Sequence, residues 1–287
     1  MTRFLFITDT HIAGKSIGFY QQPTYPDKIE ELLATIRRDV EQEKIDFIIH
    51  GGDLVHQCDR PSIQEAKRLF QFSVPVHLTL GNHDLDRSDA LELWLKEAPE
   101  FFVGNSPQYT VRYPSCVIHI VPNQWEPGSP YYWKHSQSPY FLQDQLEKLE
   151  EEVRSYPEAV HLLAIHNPIF GVPREQSGLD KIAHDVPADF RHIILQLMQR
   201  YPNIKGVLSG HNHINTLART EEGIFVSGSS FVETPFEYKL VEVSEQQISI
   251  ETRRVHAGLS FTPSWKEERR FVLGREQDRR LEWRFTS

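Results

Sequence analysis

The sequence predicts an α/β protein in which two packed sheets carry helices on their outer faces within one domain. Two patterns support this fold class. Short apolar, β-prone segments alternate with amphipathic helical segments in the first hundred residues, which is typical of a largely parallel sheet. In the second half, apolar segments follow one another more closely, which indicates a second sheet with consecutive strands.

The first half of the chain supplies three predicted strand–helix pairs. The strands are expected at residues 3–8, 47–49 and 74–80, where apolar, β-prone residues run together. Apolar residues at helical spacing follow each strand. The first helix carries Ile29, Leu32, Leu33, Ile36 and Val40, the second begins at Pro61, and the third carries Leu91, Trp94 and Leu95.

The second half is predicted to contain further strands, two helices and two long loops. Strands are expected at 109–113, 116–121, 160–165 and 205–208, and then around 214–219, 224–228, 238–243 and 247–253. One helix carries Leu142, Leu146, Leu149 and Val153, and the other carries Phe190, Ile193, Ile194, Leu197 and Met198. The loops are 122–140 and 167–186. Because both halves contribute to one set of strand ends, residues 1–260 are predicted to form a single domain.

Residues 261–287 form a different kind of segment, dense in arginine and glutamate with scattered apolar residues. We expect an extension that packs on the domain or forms an oligomer contact, so a homo-oligomer is left open. The nearly matched acids and bases argue against a nucleic-acid-binding tail.

The composition is that of an ordinary acidic globular protein, with 39% hydrophobic residues, 25% charged residues and a formal net charge of −9. This charge argues against a broad nucleic-acid-binding face. A small organic phosphate ester is the expected partner, since metal ions would make one cleft locally positive. Two cysteines are too few for a disulfide framework, and the apolar run Phe4–Ile7 is too short for a signal peptide. We therefore expect a cytoplasmic protein without a membrane partner.

Potential metal ligands follow five of the predicted strands. They lie in Asp9-Thr10-His11, Gly52-Asp53, Gly81-Asn82-His83-Asp84, His166 and Gly210-His211-Asn212-His213. Any one of these clusters alone is ordinary, because Gly-Gly-Asp is often only a turn and a single histidine at a strand end is usually structural. Their order and shared position argue for one site, since the carboxyl ends of parallel strands meet at one edge.

The first two clusters place demands on the backbone. Asp9 and His11 would face opposite ways in a regular strand, so the chain must turn there if both are to reach one ion. The two glycines before Asp53 let the backbone pass close to a metal or a phosphate.

The residue types determine the expected chemistry. Carboxylate and imidazole ligands suit manganese, iron, zinc or cobalt and do not choose among them. Two such ions about 3.5–4 Å apart can contact the attacking and the leaving oxygen of a phosphoryl transfer, and they acidify a water between them. Since no cluster contains a serine or cysteine, we expect direct in-line attack by the bridging hydroxide.

The order of these motifs resembles the calcineurin-like metallophosphoesterase superfamily, from Arg3 to about Thr252. The resemblance implies a four-layer α-β-β-α sandwich with two mixed sheets. The Asp-Thr-His form and the segment Ser229–Pro235 look most like the class III cyclic-nucleotide phosphodiesterases and their glycerophosphodiesterase relatives. The double-strand-break repair nucleases are less similar, because they usually carry tryptophan between the first aspartate and histidine.

The resemblance also implies residue roles. One transition-metal ion would be held by Asp9, His11 and His213, a second by Asn82, His166 and His211, and Asp53 would bridge them. His83 would contact the phosphate and protonate the leaving alkoxide, while Asp84 would orient its ring. This implies a dinuclear phosphodiesterase for a small diester, such as a cyclic nucleotide. The alternatives are a phosphomonoesterase or nuclease on the same site, and a non-catalytic scaffold with the same fold.

Aromatic and histidine residues on the loops after strand ends have two interpretations. Aromatic rings could stack on a nucleobase, but packing of the loops is the more common use. The aromatic candidates are Tyr20, Trp125, Tyr131, Tyr132, Trp133 and Phe170. For His56, His135 and His184, a solvent-facing position is expected.

Overall fold

The computed structural model describes residues 1–15, 21–255 and 258–285, and it confirms the predicted α/β fold. The strands are β1 (Thr2–Ile7), β2 (Phe47–His50), β3 (Val76–Leu78), β4 (Tyr109–Tyr113), β5 (Cys116–Ile120), β6 (His161–Ala164), β7 (Ile204–Ser209), β8 (Thr216–Arg219), β9 (Ile224–Ser227), β10 (Glu237–Val243), β11 (Gln247–Arg254) and β12 (Arg280–Arg284). The helices are α1 (Ile29–Gln42), α2 (Arg60–Leu69), α3 (Ala90–Glu97), α4 (Gln143–Ser155), α5 (Arg174–Ser177), α6 (Ala188–Arg200) and α7 (Glu276–Arg279).

The strands form two mixed sheets of six strands each within the described residues. The first sheet has the order β12-β11-β10-β1-β2-β3, with β1, β2 and β3 parallel and the other pairs antiparallel. The second has the order β4-β5-β6-β7-β9-β8, in which β5, β6, β7 and β9 are parallel and the two edge strands are antiparallel.

Helices cover the outer faces because their apolar stripes match the sheets. In α1 the five apolar residues predicted to share one face are all buried. The side chain of Asp59 caps α2 by accepting the backbone N–H of Ser62 at 2.8 Å. The helices α4 and α6 pack on the second sheet around Leu149, Phe190 and Leu163. The larger core joins both sheets to α1, α2 and α3, which gives four layers.

The tail contains structure that the sequence analysis did not predict. Strand β12 pairs antiparallel with β11, with Leu281 opposite Ile250, and becomes the edge of the first sheet. The missed strand alternates apolar and charged residues because only one of its faces is covered. Before it, Glu267–Leu273 forms a 3-10 segment.

The carboxyl ends of parallel strands from both sheets come together at one edge of the molecule. Each predicted ligand cluster directly follows one of these strands: β1, β2, β3, β6 or β7. In the described part of the chain, every helix is too short or too polar to traverse a lipid bilayer.

Candidate metal centre

The predicted ligands gather into two neighbouring groups. Asp9, His11 and His213 form the first group, and Asp53, His166 and His211 form the second. Within each group the potential ligand atoms lie within 4.8 Å of one another. Side chains that are up to 204 residues apart in sequence (213 minus 9) therefore face the same small volume.

The first group is nearly closed to solvent. The Nε2 atom of His213 lies 3.3 Å from Oδ1 of Asp9 and 3.1 Å from Nε2 of His11. The carboxylate of Glu233 contacts Nδ1 of the same ring. That contact orients His213 with Nε2 toward the other two ligands.

The second group includes the carboxamide of Asn82. Its Oδ1 atom lies 3.2 Å from Nε2 of His166 and 3.0 Å from Nδ1 of His211. The two ring nitrogens are 3.3 Å apart. Because His166 donates from Nδ1 to the carbonyl of Gly51 at 2.8 Å, its Nε2 faces this group and offers a lone pair there once the ring is neutral.

Asp53 lies between the two groups. Its Oδ2 atom is 3.8 Å from Nε2 of His11 and 3.4 Å from Nε2 of His166. Its other oxygen accepts the backbone N–H of His83 at 2.8 Å. One carboxylate thus faces both groups and also anchors the turn that carries His83.

An unusual backbone conformation makes this convergence possible. Five of the seven predicted ligands have positive φ: Asp9 at 54°, His11 at 42°, Asp53 at 52°, His211 at 69° and His213 at 58°. This left-handed region is disfavoured for residues with a Cβ and concentrates at functional sites. The positive φ values of Asp9 and His11 produce the turn that the sequence analysis required of this segment.

Two glycines allow the turns to approach the ligands. A Cβ on Gly52, whose φ is +102°, would lie 2.3 Å from Nδ1 of His166. A Cβ on Gly81 would lie 2.3 Å from Oδ1 of Asp53. Both positions are therefore restricted to glycine by the ligands themselves.

The charges of the ligand residues in both groups explain why cations fit between them. Burial would raise the pKa of Asp9, but the charge and hydrogen bond of His213, together with the His166 charge, outweigh it and lower that pKa to about 2. Burial opposes protonation of His166 and His213, yet Asp53 raises the first pKa to about 9, and Glu233 with Asp9 raises the second to about 10. The buried carboxylates thus require positive charge beside them. Protons supply it in the metal-free protein, and the donor set of oxygen and imidazole nitrogen suits transition metals.

The turn after β3 carries the two predicted catalytic residues, His83 and Asp84. His83 donates from Nδ1 to the carbonyl of His56 at 2.8 Å, so the backbone of the neighbouring loop fixes that nitrogen. Asp84 is fully buried, and its two oxygens accept the N–H groups of Val55 at 3.0 Å and Gly81 at 2.9 Å. These bonds stabilise the turn itself, and the expected role of Asp84 in orienting the His83 ring stays a prediction.

Two residues that position the ligand loops were missed by the sequence analysis. His50 accepts the N–H of Gly52 at 3.3 Å and contacts Oγ1 of Thr10 at 3.1 Å, and burial lowers its pKa to about 3. Glu233 accepts the N–H of Gln22 at 2.7 Å besides contacting His213. The available signals were that His50 ends β2 and that Glu233 lies within the Ser229–Pro235 segment.

The loop histidines and aromatic residues have different positions. His56 is half-buried, and its ring stacks on His83 with centroids 5.0 Å apart, which differs from the expected solvent-facing position. The His83 ring also lies near the indole of Trp133, with centroids 5.4 Å apart. Trp125 is buried and Phe170 packs on Phe225, as the packing interpretation predicted. Tyr20 lies outside the described residues.

Comparisons with known proteins agree with this geometry. The model of the calcineurin-like phosphoesterase family matches residues 2–215. The DNA double-strand break repair protein Mre11 of Methanocaldococcus jannaschii is 24% identical over 260 residues, which are 85% of this chain and 66% of that protein. The glycerophosphodiester phosphodiesterase GpdQ of Enterobacter lignolyticus is 26% identical over 221 residues, which are 74% of this chain and 71% of that protein.

The fold itself is shared with a solved structure of low sequence identity. A dimetal phosphatase from Danio rerio superposes with a TM-score of 0.67 at 15% identity, covering 88% of this chain and 96% of that one. This chain spans 66% and 50% of the length of the two archaeal Mre11 proteins that it matches. Since the matched region contains all five ligand clusters, the chain belongs to the calcineurin-like phosphoesterase family.

Proposed function

We propose that this protein hydrolyses a small phosphodiester at a dinuclear metal centre formed by Asp9, His11, Asp53, Asn82, His166, His211 and His213. The observation that carries the proposal is the Asp53 carboxylate, which lies between two groups of ligand atoms. Two ions of manganese, iron or zinc held there would polarise the phosphate oxygens and acidify the attacking water. The coordination set has both oxygen and nitrogen ligands, so it does not select one of these metals.

His83 is the proposed general acid. Its Nδ1–H bond to the His56 carbonyl fixes the ring, so the imidazolium form presents Nε2–H as the second donor. It would transfer that proton to the leaving alkoxide, which is a poor leaving group without protonation. Asp84 is the proposed positioning residue, because its carboxylate joins the turn of His83 to the loop after Asp53.

Two observations support a diester over a monoester. One matched relative is a glycerophosphodiester phosphodiesterase and another is a probable cyclic nucleotide phosphodiesterase. The half-exposed indole of Trp133 lies beside the His83 ring, with centroids 5.4 Å apart. A diester brings a second organic group, which such an apolar surface can contact.

A nuclease is the second candidate function. It is favoured by the match to Mre11 over 85% of this chain. It is opposed by the net charge of −9, because binding of a long polyanion relies on many phosphate contacts with lysine and arginine. A scaffold role is less consistent with the ligand set, since all seven ligands and His83 are present.

We also propose a cytoplasmic location. Both cysteines, Cys58 and Cys116, are buried and free. Their thiols form no disulfide with each other, as is usual in a reducing compartment. Fractionation of cells that express the tagged protein would test this location.

A substrate panel tests the proposed activity. Protein restored with each metal would be assayed with bis(p-nitrophenyl) phosphate, p-nitrophenyl phosphate and single-stranded DNA. The proposal expects the highest kcat/KM for the small diester. Faster cleavage of the monoester or the DNA would contradict it, and Asp53→Asn protein would show whether any activity belongs to this site. Asp27→Asn, an exposed acid on another surface, is the matched control.

A further inference from the structure

The C-terminal segment 264–275 lies beyond the region matched by the family model, yet it returns to the metal centre. The backbone of Lys266 exchanges two hydrogen bonds with the side chain of Gln22, at 3.0 and 2.9 Å. The N–H of Gln22 contacts Glu233, which in turn contacts the metal-ligand candidate His213. Two residues, Gln22 and Glu233, therefore connect the segment to the ligand.

The far end of the segment is attached to the same ligand loop. Asn215, two residues after His213, donates its N–H to the carbonyl of Val272 at 2.9 Å. The side chain of Gln176 donates to the carbonyls of both Asn215 and Phe271, at 2.8 and 2.9 Å. Because both ends of the segment are fixed, the side chains that it directs toward the rim of the cleft are held in position.

Arg269 is the side chain that stands out in this segment. Its guanidinium donates to Oε1 of Gln21 at 2.7 Å and remains exposed. Among the described residues no carboxylate forms an ion pair with it. The neighbouring arginines differ, because Arg270 pairs with Glu267 at 3.0 Å and Arg275 with Asp278 at 2.8 Å. Arg269 therefore presents an uncompensated positive charge.

The hydrogen bonds of Gln21 and its neighbour Gln22 place this charge on the His213 side of the centre, because Gln21 binds Arg269 and Gln22 contacts Glu233. Partial desolvation lowers the pKa of His184, and the positive charges of His213 and Arg269 lower it further. The pKa of His184 is thus affected by both the first ligand group and Arg269, which indicates that both are near this ring, because such charge effects fade with distance. Arg269 therefore lies on the His213 side of the metal centre.

We propose that Arg269 determines specificity by binding a second phosphate group of the substrate, remote from the phosphate that is hydrolysed. The inference rests on the proposed function and narrows the substrate class to diesters that carry a further phosphate. A guanidinium forms paired, charge-assisted hydrogen bonds with phosphate oxygens. In a protein of net charge −9, a local uncompensated cation is also what favours the approach of a second anionic group.

Binding measurements test this proposal directly. Titration calorimetry on the metal-loaded protein would compare thymidine 3′,5′-bisphosphate with thymidine 5′-monophosphate. We expect tighter binding of the bisphosphate, and we expect Arg269→Ala to lose that advantage by roughly 5- to 20-fold. Arg269→Lys should keep part of it, since charge remains but the paired geometry does not. Arg270→Ala is the matched control, because its charge is already paired.

The result that would overturn the proposal is an unchanged ratio of the two affinities in Arg269→Ala. An equal loss in Arg270→Ala would also overturn it, because the effect would then reflect general charge. If the intact protein hydrolysed no ester, the proposed function would fail, and the ratio of nucleotide affinities would still decide the role of Arg269.

Discussion

The ligand turns and the substrate rim of this cleft are built in different ways. Each ligand turn is short and directly follows a parallel strand. The rim has two parts: one is the loop 122–140, and in the other Gln21 and Gln22 meet the C-terminal segment 264–275 through long-range contacts such as Arg269 with Gln21. The reaction chemistry therefore depends on local backbone geometry, whereas substrate choice depends on segments that are remote in sequence.

The two regions also differ in how they are made rigid. In the ligand turns, positive φ and close contacts leave little freedom, as at Gly81, where a Cβ would meet Asp53 at 2.3 Å. In the rim, one carboxylate oxygen of Glu126 accepts the N–H groups of residues 134, 135 and 136, at 3.0, 2.9 and 3.0 Å. A ligand turn therefore tolerates almost no amino-acid substitution, whereas single side chains of the rim can be replaced one at a time.

The largest effect should follow from removing the general acid of the ligand turns. We expect His83→Ala to lower kcat by roughly 10²–10⁴ for diesters with alkoxide leaving groups. The loss for a nitrophenolate ester should be smaller, because that group leaves without protonation. Steady-state kinetics on both ester types would measure it, with the exposed His135→Ala as control. Equal losses for both esters would contradict the role of His83.

A smaller effect is expected at the residue behind a ligand. Glu233→Gln should weaken metal binding by about 10–100-fold, since Glu233 orients His213. Competition with a metal-binding dye would give the affinity. The exposed Glu221→Gln should leave it unchanged. Unaltered affinity in Glu233→Gln would show that the ligand turn does not need this support.

The pH dependence of metal binding tests whether protons on the ligand turns compete with the metal ions. In the metal-free protein the raised pKa values, about 9 for His166 and about 10 for His213, keep both rings protonated below those values. Metal must displace these protons, so its affinity should fall as the pH drops below about 9, by about tenfold per unit for each proton. Affinity that stays constant between pH 7 and 9 would contradict this. Calorimetry in two buffers of different ionisation enthalpy would count the protons released.

The smallest effect is expected in the rim. Trp133→Ala should raise KM for diesters with a nucleoside or aryl leaving group by roughly three- to tenfold. A glycerol diester, which has no ring, should change by less than about twofold in the same variant. Trp283→Ala, in the edge strand β12, is the matched control. An equal change for both diesters would mean that Trp133 only supports the loop.

The sequence predicted the ligand turns far better than the rim. Asp9, Asp53 and His213 could be placed together because each follows a strand of one parallel edge. Asp84 was assigned to the His83 ring by resemblance, and its hydrogen bond to Val55 could not be predicted, because Val55 lies in the turn after another strand. Strand β12 was missed because its charged face is solvated and carries no apolar signal.

Contacts between remote segments set the remaining limits. Nothing near Arg269 in sequence indicates that Gln21, which is 248 residues away, holds its side chain. In the sequence His56 looks like an ordinary loop residue, and only the folded chain stacks its ring on His83. Such pairs follow from tertiary packing, which local patterns do not encode.

The metal content of the intact protein and of Asp53→Asn is the most direct measure of the dinuclear centre, because the Asp53 carboxylate faces both ligand groups. Elemental analysis of purified, metal-restored protein should give about two ions per intact chain and a marked loss of both in Asp53→Asn. A single ion in the intact protein, or an undiminished pair in the variant, would contradict the dinuclear centre.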